Sequence, residues 1–294
     1  MPDKIPPDLF RDIRRLQIVA TRKVDSLFAG AYRSTFKGRG IEFEGVREYQ
    51  PGDEIHHINW FLTAHTQRPF VKTFKEEREL TVMLLVDVSA SARFGSSKQF
   101  KNRLIAEIGA ILAFSAIKNH DKVGLLLFSN EMELYLKPKK EIRHVLRVIR
   151  ELLFFKPRHS GTDLKKALVF LGQVQRKKTV CFVISDCLAP PFERELKIAA
   201  KRHELIFLEV YDPHEESFPN LGLLRLMDLE SGEMGWVDTA DPEVRRQFHE
   251  LSKERRLKLK KTVERIGATH IGVRSDESPT DALRNFFRMR RARR

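Results

Sequence analysis

Three separated stretches of the chain carry oxygen-bearing side chains of the kind a hard metal ion takes. Asp87-Val88-Ser89-Ala90-Ser91 offers a donor at every second position, Ser160-Gly161-Thr162-Asp163 lies far downstream, and Ile184-Ser185-Asp186 closes a later apolar run. Asp87, Ser89, Ser91, Thr162 and Asp186 are all hard ligands. Such ligands in a near-octahedral array select Mg2+, or Mn2+ in its place, rather than zinc. Only two of the five are carboxylates, and where some of these groups act through water a dication keeps net positive charge and an open position. A carboxylate from another protein fits that position, and this binding chemistry needs no general base. Any one of these residues has a plainer use, because Asp, Ser and Thr are common at helix N-caps and strand ends. Capping does not explain why all of them occur together in this order.

Enzyme chemistry on the same residues meets specific obstacles. A phosphoryl-transfer enzyme with an aspartate after its first strand needs a second carboxylate two residues on, and Ser89 stands there. A nucleotide-binding fold needs a glycine-rich loop after that strand. No such loop follows Val86, and Asp87 repels phosphate unless a metal intervenes.

The elements that must position these residues follow from hydrophobic periodicity. Val82–Val86, Val123–Phe128, Val180–Ile184 and Leu205–Val210 are short, continuous apolar runs. Helical spacing falls between them, over about 98–118, 140–155, 163–176, 191–202 and 241–266. Met132–Leu136 alternates like an adjoining edge strand, and Thr269–Val273 is a weaker strand. Continuous apolar strands alternating with helices predict an α/β fold with a doubly wound, mostly parallel sheet covered on both faces. Ligands of such sheets bind beyond the carboxyl ends of the strands, where strand order switches. The first and third runs end there, at Asp87 and near Asp186. The division expected is an accessory region over 1–79, the α/β domain over 80–275 and a basic tail over 276–294. The accessory region opens with a helix over 7–28 and then turns extended, with a strong turn signal at Gln50-Pro51-Gly52-Asp53.

Composition narrows the setting. Hydrophobic residues make up 41% of the 294, enough for a sizeable core, and two cysteines exclude a disulfide framework and a four-cysteine zinc site. No run reaches the length of a membrane span; Leu104–Ile117 is shorter, contains Glu107 and reads as a buried helix. The N-terminus lacks the apolar stretch of a secretory signal, so the expected location is the cytoplasm. The net charge is +14, and residues 241–294 hold 16 Lys/Arg against 8 Asp/Glu. Such a balance favours an acidic protein, a nucleic acid or an anionic membrane without choosing among them. No zinc finger, helix-turn-helix or aromatic RNA-binding motif is present, so no nucleic-acid partner is expected.

The pattern Asp-x-Ser-x-Ser, then a distant Thr, then a distant Asp resembles the metal-ion-dependent adhesion site of von Willebrand factor A-like domains. The stretch before the first apolar run sharpens the likeness: Gly38-Arg39-Gly40-Ile41-Glu42-Phe43, Arg47-Glu48-Tyr49-Gln50-Pro51-Gly52-Asp53, Ile58-Asn59-Trp60, Phe70-Val71-Lys72-Thr73-Phe74 and Glu76-Glu77-Arg78-Glu79. From about Asp25 onward the chain resembles the uncharacterised bacterial family called domain of unknown function fifty-eight. Members contain the A-like domain and are often encoded beside a MoxR-type AAA+ ATPase. The resemblance therefore implies an adaptor or co-chaperone for such an ATPase.

Other conspicuous residues take ordinary readings. His56, His57 and His65 are expected as surface or packed histidines, since neighbours on a strand point to opposite faces. Trp60, Tyr49, Phe70 and Phe74 are expected to fasten a small subdomain to a larger one. Cys187 is read as a small residue beside the site, and Asp163 as a first-turn helix residue. The Asp281–Arg294 segment, with six arginines and with Leu283, Phe286 and Phe287 on one helical face, is expected to be a solvated tail with a short docked helix.

Overall fold

The computed structural model describes residues 7–27, 42–75, 79–96, 100–187, 191–229 and 232–292. The expected sheet is its central feature. Strands β3 (Thr81–Asp87), β4 (Lys122–Phe128), β5 (Met132–Lys139), β6 (Val180–Ser185), β7 (Glu204–Tyr211) and β10 (Thr269–Arg274) lie in the order β10-β7-β6-β3-β4-β5. All pairs are parallel except β4 with β5. The chain leaves β3 for β4 on one side and later returns to place β6 on the other, so strand order switches at the carboxyl end of β3. Every residue of β6 is buried, as is all of β3 after its first residue. Burial on both faces is why these strands read as unbroken apolar runs rather than alternating ones.

One face packs Met83, Leu85, Leu126, Phe128, Cys181, Val183 and Phe207 against helices α5 (Leu164–Val174), α6 (Glu193–Arg202) and the end of α8 (Pro242–Arg265). Helix α3 (Lys101–Lys118) is buried on nearly every side, sandwiched by α1 (Pro7–Leu27) and α4 (Ile142–Phe154). Glu107, the one acidic residue in its apolar stretch, pairs with Lys23 of α1. At Gly109 the helices approach so closely that a Cβ would stand 2.5 Å from Leu152 Cδ1. Among the described residues no helix is long and apolar enough to cross a membrane.

The chain divides into two compact units: Met1–Thr35 with Thr81–Arg294, and Phe36–Leu80. Helix α1 thus groups with the sheet and not with residues 36–80. In the smaller unit β1 (Glu42–Glu48) pairs antiparallel with β2 (Phe70–Lys75). The predicted turn is present: Asp53 N–H donates to Gln50 O at 3.0 Å, with Gly52 at φ +107°. Arg47 locks it through two bonds to the Asp53 carboxylate, at 2.6 and 2.7 Å. Helix α2 (Trp60–Thr66) follows Asn59, whose side chain caps it by accepting from Leu62 N–H. The Gly38-Arg39-Gly40-Ile41 part of the sequence pattern lies outside the described residues.

One expectation changes in this unit. His56 and His57 sit in a single 3-10 turn (Ile55–His57) and His65 in α2, so strand alternation is not what separates them. Trp60 is 65% exposed and its neighbour Phe61 77%. Helix α2, in a stretch expected to be extended, has no counterpart among the expected elements, nor do the hairpin of β8 (Leu223–Met227) with β9 (Met234–Asp238) and the one-turn helix α7 (Pro213–Glu216).

Candidate metal centre

The carboxyl ends of β3 and β6 bring the five predicted residues into one neighbourhood, where all five are buried. Strand β3 delivers Asp87, and the ladder to β4 runs one residue further through Val88 N–H to Phe128 O at 2.9 Å. The chain then folds back on itself, because Ser89 N–H donates to Asp87 Oδ1 at 2.9 Å. This Asx-type turn sets Ser89 and Ser91 side by side, with their hydroxyls 3.0 Å apart. A short 3-10 turn, Ser91–Arg93, continues from there.

The loop carrying Thr162 is clamped onto this turn by backbone bonds. Ala90 N–H donates to Ser160 O at 2.8 Å, and Asp163 N–H to Ser129 O at 2.9 Å. Thr162 Oγ1 then lies 3.5 Å from Asp87 Oδ2, a long contact at the limit of a hydrogen bond. Asp163 is the N-cap of α5, accepting from Lys166 N–H at 3.1 Å, one position earlier than the first-turn place expected.

Two further residues belong to the site without any mark in the spacing pattern. Ser185, fully buried at the end of β6, donates to Asp87 Oδ2 at 2.7 Å. Lys101, the first residue of α3, is completely buried, and its ammonium donates to Asp186 Oδ2 at 2.8 Å and to Glu215 Oε1 at 2.6 Å. The Phe94 ring lies under the same ammonium, 5.9 Å from it to the centroid. In the sequence, Ser185 is marked only as the neighbour of Asp186. Lys101 is indistinguishable by type from the solvated lysines around it.

Burial and neighbouring charge set the electrostatics of the site. Burial pushes the Asp87 carboxyl up to about 7, the nearby charge of Asp186 adds to this, and hydrogen bonds from Ser185 and Ser89 oppose it. For Lys101, burial alone acts to lower the pKa, but the charges of Asp186 and Glu215 outweigh it and hold the ammonium above its usual value. The carboxylates of Asp186 and Glu215 share the Lys101 ammonium, with the Asp87 carboxylate near that of Asp186, and two carboxylates with hydroxyl oxygens are the donors a hard ion takes. Among the described residues, no three His, Cys, Asp or Glu side chains gather as a metal-holding group of their own, so an ion here depends on the hydroxyl oxygens.

Cys187 follows Asp186 in a left-handed conformation, φ +62°, with its N–H donating to Ser185 Oγ at 3.0 Å. Burial, followed by the charges of Glu209, Asp186 and Asp87, drives its thiol well above the ordinary range. Burial and these charges disfavour its thiolate, the form in which a cysteine reacts.

Comparison with known proteins adds lineage to this geometry. The model of the family described as "Protein of unknown function DUF58" matches residues 45–258. An uncharacterized protein of Mycobacterium bovis is 29% identical over 288 residues, spanning 97% of this chain and 90% of its own length. Among solved structures, an aerotolerance-related membrane protein from Bacteroides fragilis, with multiple mutations to serines, has a TM-score of 0.51 at 13% identity. That likeness covers 73% of this chain and 100% of that one. The VWA domain of SpRpn10 is a more distant likeness, with a TM-score of 0.40 at 9% identity over 70% of this chain and 94% of that one. The chain shares its fold with the Bacteroides fragilis protein, and it belongs to the DUF58 family.

Proposed function

We propose that Asp87, Ser89, Ser91, Thr162 and Asp186 hold one Mg2+ or Mn2+, and that the chain is a metal-dependent protein-binding module without catalytic turnover. The observation that carries this reading is Asp87 itself, a carboxylate buried beside a second carboxylate at the strand-order switch, with hydroxyls converging on it from two other loops. Once bound, the ion supplies a positive centre able to take a carboxylate from another protein.

The residues divide the work. Asp87 and Asp186 provide counter-charge, while Ser89, Ser91 and Thr162 add neutral oxygens and no further negative charge. Ser185 orients Asp87, and the Ala90–Ser160 backbone bond keeps the two loops in register. Ser89 occupies the position where phosphoryl transfer from an aspartate nucleophile needs its second carboxylate, which favours binding over turnover. The family resemblance supports a MoxR-type AAA+ ATPase as partner, with this chain as its adaptor.

Calorimetric titration of the full chain with Mg2+ and Mn2+ tests the metal assignment. The wild type is expected to take up one ion weakly and the Asp87→Ala/Asp186→Ala variant none; identical uptake by the two sinks the assignment. Pull-down of the purified ATPase with and without chelator tests the partnership. Equal capture by the wild type in chelator and by Asp87→Ala would show that contact to be independent of metal.

A further inference from the structure

The lysine behind the candidate ligands is more than a brace. Lys101 projects from the first turn of α3, a helix buried on nearly every side, and its own N–H is tied to Phe94 O at 3.1 Å. Its anchor therefore cannot drift. Its ammonium has no exposed surface and lies 2.8 Å from one oxygen of Asp186. At that depth water and salt do little to screen it. Any dication that Asp186 helps to hold must share that carboxylate with a fixed positive charge.

We propose that Lys101 is a tethered competitor for Asp186, set to keep metal affinity low. The proposal rests on the reading of Asp87, Ser89, Ser91, Thr162 and Asp186 as a divalent-metal centre. Glu215 is the second half of the device. It accepts from the same ammonium at 2.6 Å, and its side chain is 20% exposed where that of Asp186 is 2%. When Asp186 turns its charge toward a metal, Glu215 retains the ammonium. Glu215 is also fixed to the start of α7, its other oxygen accepting from Asp212 N–H at 3.0 Å. The balance between metal and lysine at Asp186 is thereby connected to residues 213–216.

A purely structural role predicts something different. A buried ion triad costs desolvation and adds little net stability, so as a brace Lys101 would act by holding Asp186 in place. Removing either Lys101 or Glu215 would then loosen Asp186 and weaken metal binding in both cases. A competing charge predicts opposite signs. Lys101→Met removes the positive charge and tightens binding, whereas Glu215→Gln removes a counter-charge and weakens it.

The test is a Mn2+ titration of the full chain, read by the electron paramagnetic resonance of free Mn2+, with circular dichroism of each variant in chelator as a check on folding. Lys101→Met is expected to bind at least about tenfold more tightly than wild type and Glu215→Gln at least about threefold more weakly, since poorly screened charges act over several ångströms. Binding detectable only in Lys101→Met also supports the proposal. If the wild type binds and folded Lys101→Met is no tighter, Lys101 is a brace and the proposal is overturned while the metal centre stands. If neither binds, the metal-centre reading fails and takes this proposal with it. Should Lys101→Met not fold, Lys101→Gln, which keeps a hydrogen-bond donor near Asp186 without the charge, decides: tighter binding than wild type supports the competitor, and equal or weaker binding overturns it.

Discussion

At the scale of single residues, Ser185 shows how much of this site is carried by groups that are not candidate ligands. Its hydroxyl donates to Asp87 Oδ2 at 2.7 Å and accepts the Cys187 N–H at 3.0 Å, so one buried atom holds both the ligand and the left-handed turn behind it. Ser185→Ala leaves a buried carboxylate and a backbone N–H each short of a partner. A loss of about 2–3 kcal/mol is expected from urea unfolding in chelator, since unsatisfied buried polar groups cost about 1–3 kcal/mol each. A loss below about 0.5 kcal/mol, the level of an ordinary surface change, would mean that the two bonds do not matter. The candidate ligands are legible in the sequence because the Asp-x-Ser-x-Ser spacing, the distant Thr and the distant Asp form a pattern that single capping residues do not. Ser185 and Lys101 are not legible there. Their importance depends on which loop faces which, and Lys101 meets Glu215 across 114 residues of chain.

At the scale of elements, the one-turn helix α7 ties loops together. Asp212 caps it in a capping box with Glu215, and its buried carboxylate also accepts from Ser96 N–H at 3.1 Å and Ser275 Oγ at 2.9 Å. One side chain thus joins the loops after β3, β7 and β10. Burial acts to raise the Asp212 pKa, but the hydrogen bonds from Ser96, His214 N–H and Ser275 outweigh it and hold the carboxyl below its usual value. A depressed carboxylate stabilises the fold above the unfolded-state pKa near 4, and that contribution is lost as pH falls through the lower, folded-state value. Asp212→Asn is therefore expected to cost about 2 kcal/mol at pH 7, as charged hydrogen bonds do. The gap between it and wild type should stay constant down to about pH 5 and shrink below about pH 4. Urea midpoints measured at several pH values check this, and a gap that does not change with pH would assign the loss to packing instead. The sheet and its helices are legible because burial on both faces writes continuous apolar runs into the sequence. The β8–β9 hairpin is not, because Leu223, Met227, Met234 and Trp236 lie exposed. Apolar residues left this exposed confuse the alternation by which a half-buried strand is read.

At the scale of the whole molecule, the charge of +14 is concentrated toward the C-terminus, and the structure separates the charge from the packing. Helix α9 (Pro279–Ala292) buries Leu283, Phe286 and Phe287 almost completely. Arg284 and Arg288 lie exposed on its outer side, and Arg290 pairs with Glu204. The docked helix expected in this segment is present, and it takes in most of the length expected as a solvated tail. Removing Asp281–Arg294 takes three buried side chains with it, each contributing about 1.5–3 kcal/mol, so truncation tests folding before it tests binding. The charge is better probed by Arg284→Gln with Arg288→Gln. This pair is expected to change stability by less than about 0.5 kcal/mol, because exposed charges and the surface pair of Arg284 with Asp281 contribute little. If the basic helix tunes affinity for an acidic partner, the double variant should bind that partner more weakly at low salt, and the difference should fade as salt shortens the screening length. The contribution that disappears on adding chelator should be the same in both proteins, because it arises from a direct ligand bond at a buried site. Binding titrations across ionic strength, with and without chelator, separate the two. A chelator-sensitive contribution that falls with the two arginines would place the helix inside the metal-dependent contact rather than beside it.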